Sequence, residues 1–145
     1  MIKINEIYLS VQGESSHTGL PCVFVRLTGC NLRCVWCDTA YAFHEGKNQS
    51  IDQTLKEVEK FGVNLVEITG GEPLMQEGVY PLMNALLKSG YQVMLETGGS
   101  LSLEKVPRDV IKIMDLKCPG SGEHEKNNLD NLKLLAPHDE VKFVI

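Results

Sequence analysis

Asn64-Leu65-Val66-Glu67-Ile68-Thr69-Gly70-Gly71-Glu72-Pro73 is the stretch that decides the fold. Its first six residues are rich in apolar and β-branched side chains and read as a strand. The Gly-Gly-Glu-Pro that follows turns the chain. A helix is expected over about Gly78–Ser89, with Val79, Leu82, Met83, Leu86 and Leu87 on one face and Gly90 after its end. Tyr91–Glu96 reads as the next strand and leads into Thr97-Gly98-Gly99. A strand, a helix and a second strand in this order form a parallel unit with a right-handed crossover.

The same alternation extends in both directions. Upstream, Ser50 is placed to cap a helix, with Gln53 completing a capping box. Ile51, Leu55, Val58 and Phe61 give that helix one apolar stripe, and Gly62 ends it. Before it, Cys22–Leu27 and Ile4–Leu9 read as strands, and Gly29–Ala40 as a loop. Downstream, strands are expected over Val110–Asp115 and Asp139–Ile145, with a third helix around Asn127–Leu135. Gln12–Gly19, Phe43–Ser50 and Cys118–Asn128 read as loops. The class is α/β, and the strand ends carry Gly, Glu, Thr and Cys. That end is where such folds bind ligands. Alternation alone does not separate an open sheet from a partial barrel.

Composition narrows the function. The 145 residues form one domain, 1–145, and only 6% are aromatic, so the core rests on Val, Ile and Leu. The net charge is −5, without a basic block, which argues against a direct nucleic-acid partner. No apolar run approaches the ~20 residues that span a bilayer, so no membrane partner is expected. Met1–Glu6 does not follow the signal-peptide pattern. The five cysteines are Cys22, Cys30, Cys34, Cys37 and Cys118; their odd count fits the reducing cytoplasm better than a disulfide framework. Cys22 reads as a small buried hydrophobe and Cys118 as neighbouring packing. His17, His44, His124 and His138 have no ligand spacing, and Met75, Met83 and Met94 read as core or pocket lining.

Three cysteines crowd into Cys30-Asn31-Leu32-Arg33-Cys34-Val35-Trp36-Cys37. Three thiolates on one tight loop can hold three corners of a cubane [4Fe–4S] cluster and leave the fourth iron open. Structural zinc would need a fourth ligand, and Cys22, His17, His44 and Cys118 all lie off finger spacing. A redox pair of Cys34 and Cys37 would leave Cys30 unexplained.

The spacing, with Trp36 just before Cys37, resembles the radical S-adenosylmethionine (SAM) superfamily. Thr69-Gly70-Gly71-Glu72-Pro73 resembles the motif that receives the SAM amino group in that superfamily. The resemblance implies a partial, TIM-like β/α barrel of parallel strands. It also implies that Gly70, Gly71 and Glu72 border SAM, where glycine permits close approach. SAM would chelate the open iron, and a 5′-deoxyadenosyl radical formed from it would abstract a substrate hydrogen. The protein's task is then to orient the reactants and exclude quenchers.

The N-terminal half is more specific. Asn5-Glu6-Ile7-Tyr8, Val11-Gln12-Gly13-Glu14, Thr18-Gly19, Phe24-Val25-Arg26-Leu27 and Asp38-Thr39 are similar to the 7-carboxy-7-deazaguanine synthase family. That similarity runs from about Ile4 to Ile145. It implies a lyase of queuosine biosynthesis, a tRNA-modification pathway, that turns 6-carboxy-5,6,7,8-tetrahydropterin into 7-carboxy-7-deazaguanine with loss of ammonia. Carried over, Val11, Gln12 and Gly13 line the pterin pocket, and Arg26 and Thr69 touch substrate. Thr39 is a Mg²⁺ ligand. Trp36, Cys37 and Asp38 border SAM, with further contacts from Glu96, Asp115 and Lys117. An external flavodoxin-like or ferredoxin-like electron donor and a cytoplasmic homodimer are also implied.

Each residue alone fits a blander role: Arg26 on a strand surface, Gln12-Gly13-Glu14 in a polar turn, Thr39 as a turn cap, Asp115 and Lys117 as a surface pair. Competing readings are an activating enzyme for a glycyl-radical protein, a non-enzymatic iron–sulfur or zinc module, and an inactive radical SAM domain. Ser15 stands where the family pattern leads one to expect glycine. A full barrel takes about 200 residues or more, and Val141–Ile145 reads as an interior strand. A truncated chain, or a partner that completes the far wall of the pterin pocket, is therefore expected.

Overall fold

A computed structural model describes residues 1–145. The strands are β1 (Ile2–Val11), β2 (Pro21–Leu27), β3 (Lys47–Gln49), β4 (Leu65–Gly70), β5 (Gln92–Thr97), β6 (Ile111–Asp115) and β7 (Glu140–Lys142). The helices are α1 (Ile51–Glu59) and α2 (Val79–Lys88). All seven strands form one sheet in the order β3-β1-β2-β4-β5-β6-β7, which is not closed into a barrel. From β2 to β7 the neighbours are parallel. β1 runs antiparallel to both β2 and β3.

Strand alternation sorts the side chains onto two faces. Val23, Val25, Leu27, Val66, Ile68, Val93 and Leu95 pack under α1 and α2 against Val58, Val79, Leu82, Met83 and Leu86. Each fully buried Leu of this layer contributes about 2 kcal/mol. The other face begins apolar, with Cys22, Phe24, Leu65, Met94, Ile111 and Ile113. Towards the C-terminal strand ends it turns polar, through Arg26, Glu67, Thr69, Glu96 and Asp115. The apolar half is a floor, and the polar half is a wall.

Local signals explain the first helix. Gln53 N donates to Ser50 Oγ at 3.1 Å, and Ser50 N donates to Gln53 Oε1 at 2.8 Å, closing the capping box. The third helix expected at Asn127–Leu135 is absent. A 3₁₀ segment, Leu129–Leu134, takes its place, and a shorter one, His124–Lys126, precedes it. The cause is side-chain competition for the backbone. Asn128 Oδ1 accepts from Asp130 N, and the buried Asn131 amide bonds Gly99, Leu101 and Leu103. Leu129, Leu132 and Leu134 stay exposed, so no apolar stripe exists to bury. The last strand is also shorter than Asp139–Ile145, because Phe143–Ile145 lie beyond the pairing with β6. β3 arises inside the expected Phe43–Ser50 loop, by pairing with Ile2–Ile4. No helix is long and apolar enough to cross a membrane.

Candidate functional site

The loop after β2 carries Cys30, Cys34 and Cys37, and the loop after β4 carries Gly70-Gly71-Glu72. The two interlock. Glu72 N donates to Gly29 O at 2.8 Å. A Cβ on Gly71 would lie 2.2 Å from Gly29 O and 2.8 Å from Cys30 Cβ, and one on Gly70 would lie 2.6 Å from Leu27 O. The two glycines are therefore demanded by the chain's own packing, in addition to any close approach of a ligand. Glu72 is fully buried and accepts from Leu74 N, Thr97 Oγ1 and Gly98 N. It thereby ties the cysteine loop's neighbour to the end of β5.

The far side of the cysteine loop is held by the turn around Pro119–Glu123. Arg33 N donates to Glu123 Oε1 at 2.6 Å and Val35 N to Ser121 O at 3.0 Å. The Trp36 indole packs on Gly120, where a Cβ would come within 2.7 Å of the ring. The Arg33 guanidinium lies over the Phe43 ring at 4.3 Å. All five cysteines are free thiols. Burial raises the Cys30 thiol, with Glu72 and the other two loop cysteines adding to it. Burial also raises Cys34, opposed by Lys117. No three His, Cys, Asp or Glu side chains converge on one point. The Asn31 Oδ1 beside Cys30 is buried without a partner.

The strand ends and these loops enclose a cavity of about 440 Å³. It gathers the three cysteines, Trp36, Asp38 and Thr39 from one loop, and Thr69, Gly70, Gly71 and Glu72 from the end of β4 and the turn after it. Gln12, Gly13, Arg26, Glu96, Asp115 and Lys117 complete the set expected from sequence. Val11 is the exception: it is 59% exposed at the end of β1 and does not line the cavity. Alternation along β1 turns its side chain away as Gln12 turns inward. Thr39 Oγ1 lies 3.8 Å from the Cys37 sulfur.

The polar wall is densely paired. Arg26 Nε meets Glu6 Oε1 at 2.8 Å, and its NH2 donates to Tyr8 Oη at 3.0 Å. Burial opposes the charged guanidinium, but Glu6, Tyr8 and Tyr41 together outweigh it and raise Arg26. Thr69 Oγ1 donates to Glu96 Oε2 at 3.0 Å. Lys142, from β7, pairs with Glu96, with Glu14 at 2.6 Å and with Asp115 at 3.3 Å. Burial opposes its charge too, yet these carboxylates raise it. Lys117 pairs with Asp115. Gln12 Nε2 donates to Glu67, a buried carboxyl.

Sequence reading missed Glu67 and Lys142, and it quoted Glu14 within a motif without giving it a role. The signal for Glu67 was available, since Glu67 and Thr69 alternate with Val66 and Ile68. The β1–β2 loop also reaches β7, with Ser16 Oγ donating to Glu140 Oε1 at 2.5 Å. Ser15, in that loop, has φ +66° and is the only non-glycine residue in the left-handed region. The expected glycine position is thus a real conformational demand. Ser15→Gly is expected to raise stability by up to ~1 kcal/mol, read from urea unfolding, with the cavity unchanged.

The sequence profile of the Radical SAM superfamily matches residues 24–118. A 7-carboxy-7-deazaguanine synthase of Koribacter versatilis is 56% identical over 99% of this chain and 65% of that protein. One from Chlorobaculum tepidum is 46% identical, covering 96% of this chain and 63% of the relative. One from Thermoplasma acidophilum is 40% identical, covering 98% of this chain and 69% of the relative. The chain belongs to the 7-carboxy-7-deazaguanine synthase family. It spans less than two thirds of the length of the first two relatives. The crystal structure of QueE from Escherichia coli superposes with a TM-score of 0.69, at 22% identity, over 99% of this chain and 84% of that one. That likeness concerns the fold. Superfamily membership implies a [4Fe–4S] cluster and SAM, and the free thiols of Cys30, Cys34 and Cys37 are suitable donors for the cluster.

Proposed function

We infer that this chain is a radical SAM lyase acting on 6-carboxy-5,6,7,8-tetrahydropterin to form 7-carboxy-7-deazaguanine. The observation that carries the reading is the interlock of the cysteine and glycine loops at the mouth of a cavity with a paired, polar wall. Cys30, Cys34 and Cys37 would hold the cluster. When bound, cluster and SAM supply the radical that removes a substrate hydrogen.

The chain's own residues do the rest. The backbone of Gly70, Gly71 and Glu72 borders the SAM amino acid, on a loop fixed by the buried Glu72 bonds. Trp36 and Asp38 flank it, and Glu96, Asp115 and Lys117 supply polar edges. Phe24 and Ile113 give the ring an apolar floor beneath that wall. Gln12, Gly13 and Thr69 meet the pterin. The Arg26 guanidinium, prealigned by Glu6 and Tyr8, meets its carboxylate or ring carbonyl without paying further side-chain entropy. Thr39 offers one hard oxygen to a Mg²⁺ that otherwise keeps waters. A flavodoxin-like or ferredoxin-like donor would approach at Val35, 77% exposed on the cluster loop. A cytoplasmic homodimer is part of the same reading.

Anaerobic incubation of the reconstituted chain with SAM, reductant, Mg²⁺ and the tetrahydropterin is expected to give 7-carboxy-7-deazaguanine, with none from Cys30→Ala. SAM cleavage without the deazaguanine would favour the activating-enzyme reading. Intact SAM would favour a binding module.

A further inference from the structure

Glu67 has no role in the chemistry above, yet it faces the cavity. It is 4% exposed on β4, between the Gln12 amide of the β1 end and the Glu96 carboxyl of β5. The cations nearby are engaged elsewhere. Lys142 serves Glu96, Glu14 and Asp115, and Arg26 serves Glu6. On the β2 side Glu67 lies in register with the apolar Phe24 and beside the Cys22 thiol, itself pushed up to about 12 by burial first and by Glu67 second. Where two carboxyls lie side by side and a lysine is bonded to only one of them, the other keeps a proton. Glu96 is the one that ionises, because Lys142 and the Thr69 hydroxyl hold its charge; its carboxyl is lowered even though burial opposes this. Burial, then the Glu96 charge, push Glu67 up to about 8, against the Gln12 bond and Lys142.

We propose that Glu67 is the general acid of the cavity, delivering its proton to the nitrogen that leaves the pterin. The proposal rests on the reading of the reaction above. Loss of ammonia breaks a C–N bond and sends the electron pair to nitrogen, and an amide anion is not a viable leaving group near neutral pH. The Glu67 O–H proton goes to that nitrogen. The Glu67 carboxylate then takes the proton lost from the ring carbon as the new ring becomes aromatic, and the C–H electron pair becomes the double bond. Atoms and electrons balance within the substrate and one carboxyl, so no outside oxidant is needed.

The other groups lining the cavity are poor acids. Glu72 is also raised by burial, but Leu74 N, Thr97 Oγ1 and Gly98 N all donate to it and it has no open surface. Lys117, like Lys142, is raised by a carboxylate partner, Asp115, against the effect of burial. Arg26 does not deprotonate in this range.

Glu67→Gln keeps the shape and the acceptor for Gln12 but cannot deliver an acidic proton. In infrared difference spectra of the chain, a protonated-carboxyl band is expected at pH 7. It should disappear as pH rises through about 8, be absent in Glu67→Gln, and titrate at lower pH in Glu96→Gln, which removes the neighbouring charge. In turnover, Glu67→Gln is expected to lower kcat by about 100-fold with KM nearly unchanged. The wild-type rate should fall above pH 8 while the variant's stays flat. An unchanged infrared band in Glu67→Gln, or wild-type kcat in that variant, overturns the proposal. Absence of the deazaguanine from the wild type would instead overturn the functional reading, and the infrared titration still decides the protonation of Glu67.

Discussion

Cys34→Ala is expected to leave the fold intact and reduce SAM cleavage to background. Cys34 sits half-buried on the loop after β2 and belongs to neither apolar cluster, so removing its sulfur leaves no core void. The loop keeps its anchors, Arg33 N on Glu123 and Val35 N on Ser121. What is lost is one of three thiolates, and no other thiol sits within the loop to replace it. Circular dichroism should match the wild type. Iron content after reconstitution should collapse, and no 5′-deoxyadenosine should form. Cleavage of SAM at the wild-type rate would remove the triplet from the account.

Gly71→Ala carries the second large effect. Its new methyl would meet Gly29 O at 2.2 Å and Cys30 Cβ at 2.8 Å. Neither neighbour is the tip of a flexible side chain, so the cysteine loop or the glycine loop must move. Overpacking of this kind costs about 1–3 kcal/mol. The displacement falls between the proposed cluster ligands and the proposed SAM contacts, so SAM cleavage should drop by at least 100-fold, roughly the cost of that misplacement. The control for packing, read in stability alone, is Gly13→Ala, where nothing lies within 4 Å of the added atom. Urea unfolding should separate the two, with a lower midpoint for Gly71→Ala and little change for Gly13→Ala.

These two positions show what was legible in sequence. The cysteine spacing and the Gly-Gly-Glu-Pro turn could be read because few chemistries need such local patterns. The β4-α2-β5 unit was equally plain, since each segment agrees with its own period. The failures lie where tertiary partners decide. Asn131 spends its amide on Gly99, Leu101 and Leu103, residues about thirty positions away, and this replaces the expected third helix. The three-residue β3 exists only because β1 offers it an edge. Glu67 and Lys142 joined the cavity through strand register, and Lys142 needs the β6–β7 pairing to reach Glu96. The buried Lys112–Asp139 pair, at 3.1 Å, was likewise invisible in a sequence that spreads its charges evenly.

The central claim is that this cavity places a pterin ring where the radical can take its hydrogen. The most direct measurement uses 6-carboxytetrahydropterin deuterated at its ring carbons, with anaerobic reconstituted protein, SAM and reductant. The account predicts deuterium in recovered SAM or 5′-deoxyadenosine alongside 7-carboxy-7-deazaguanine. Unlabelled 5′-deoxyadenosine, formed at the same rate with and without the pterin, would contradict it.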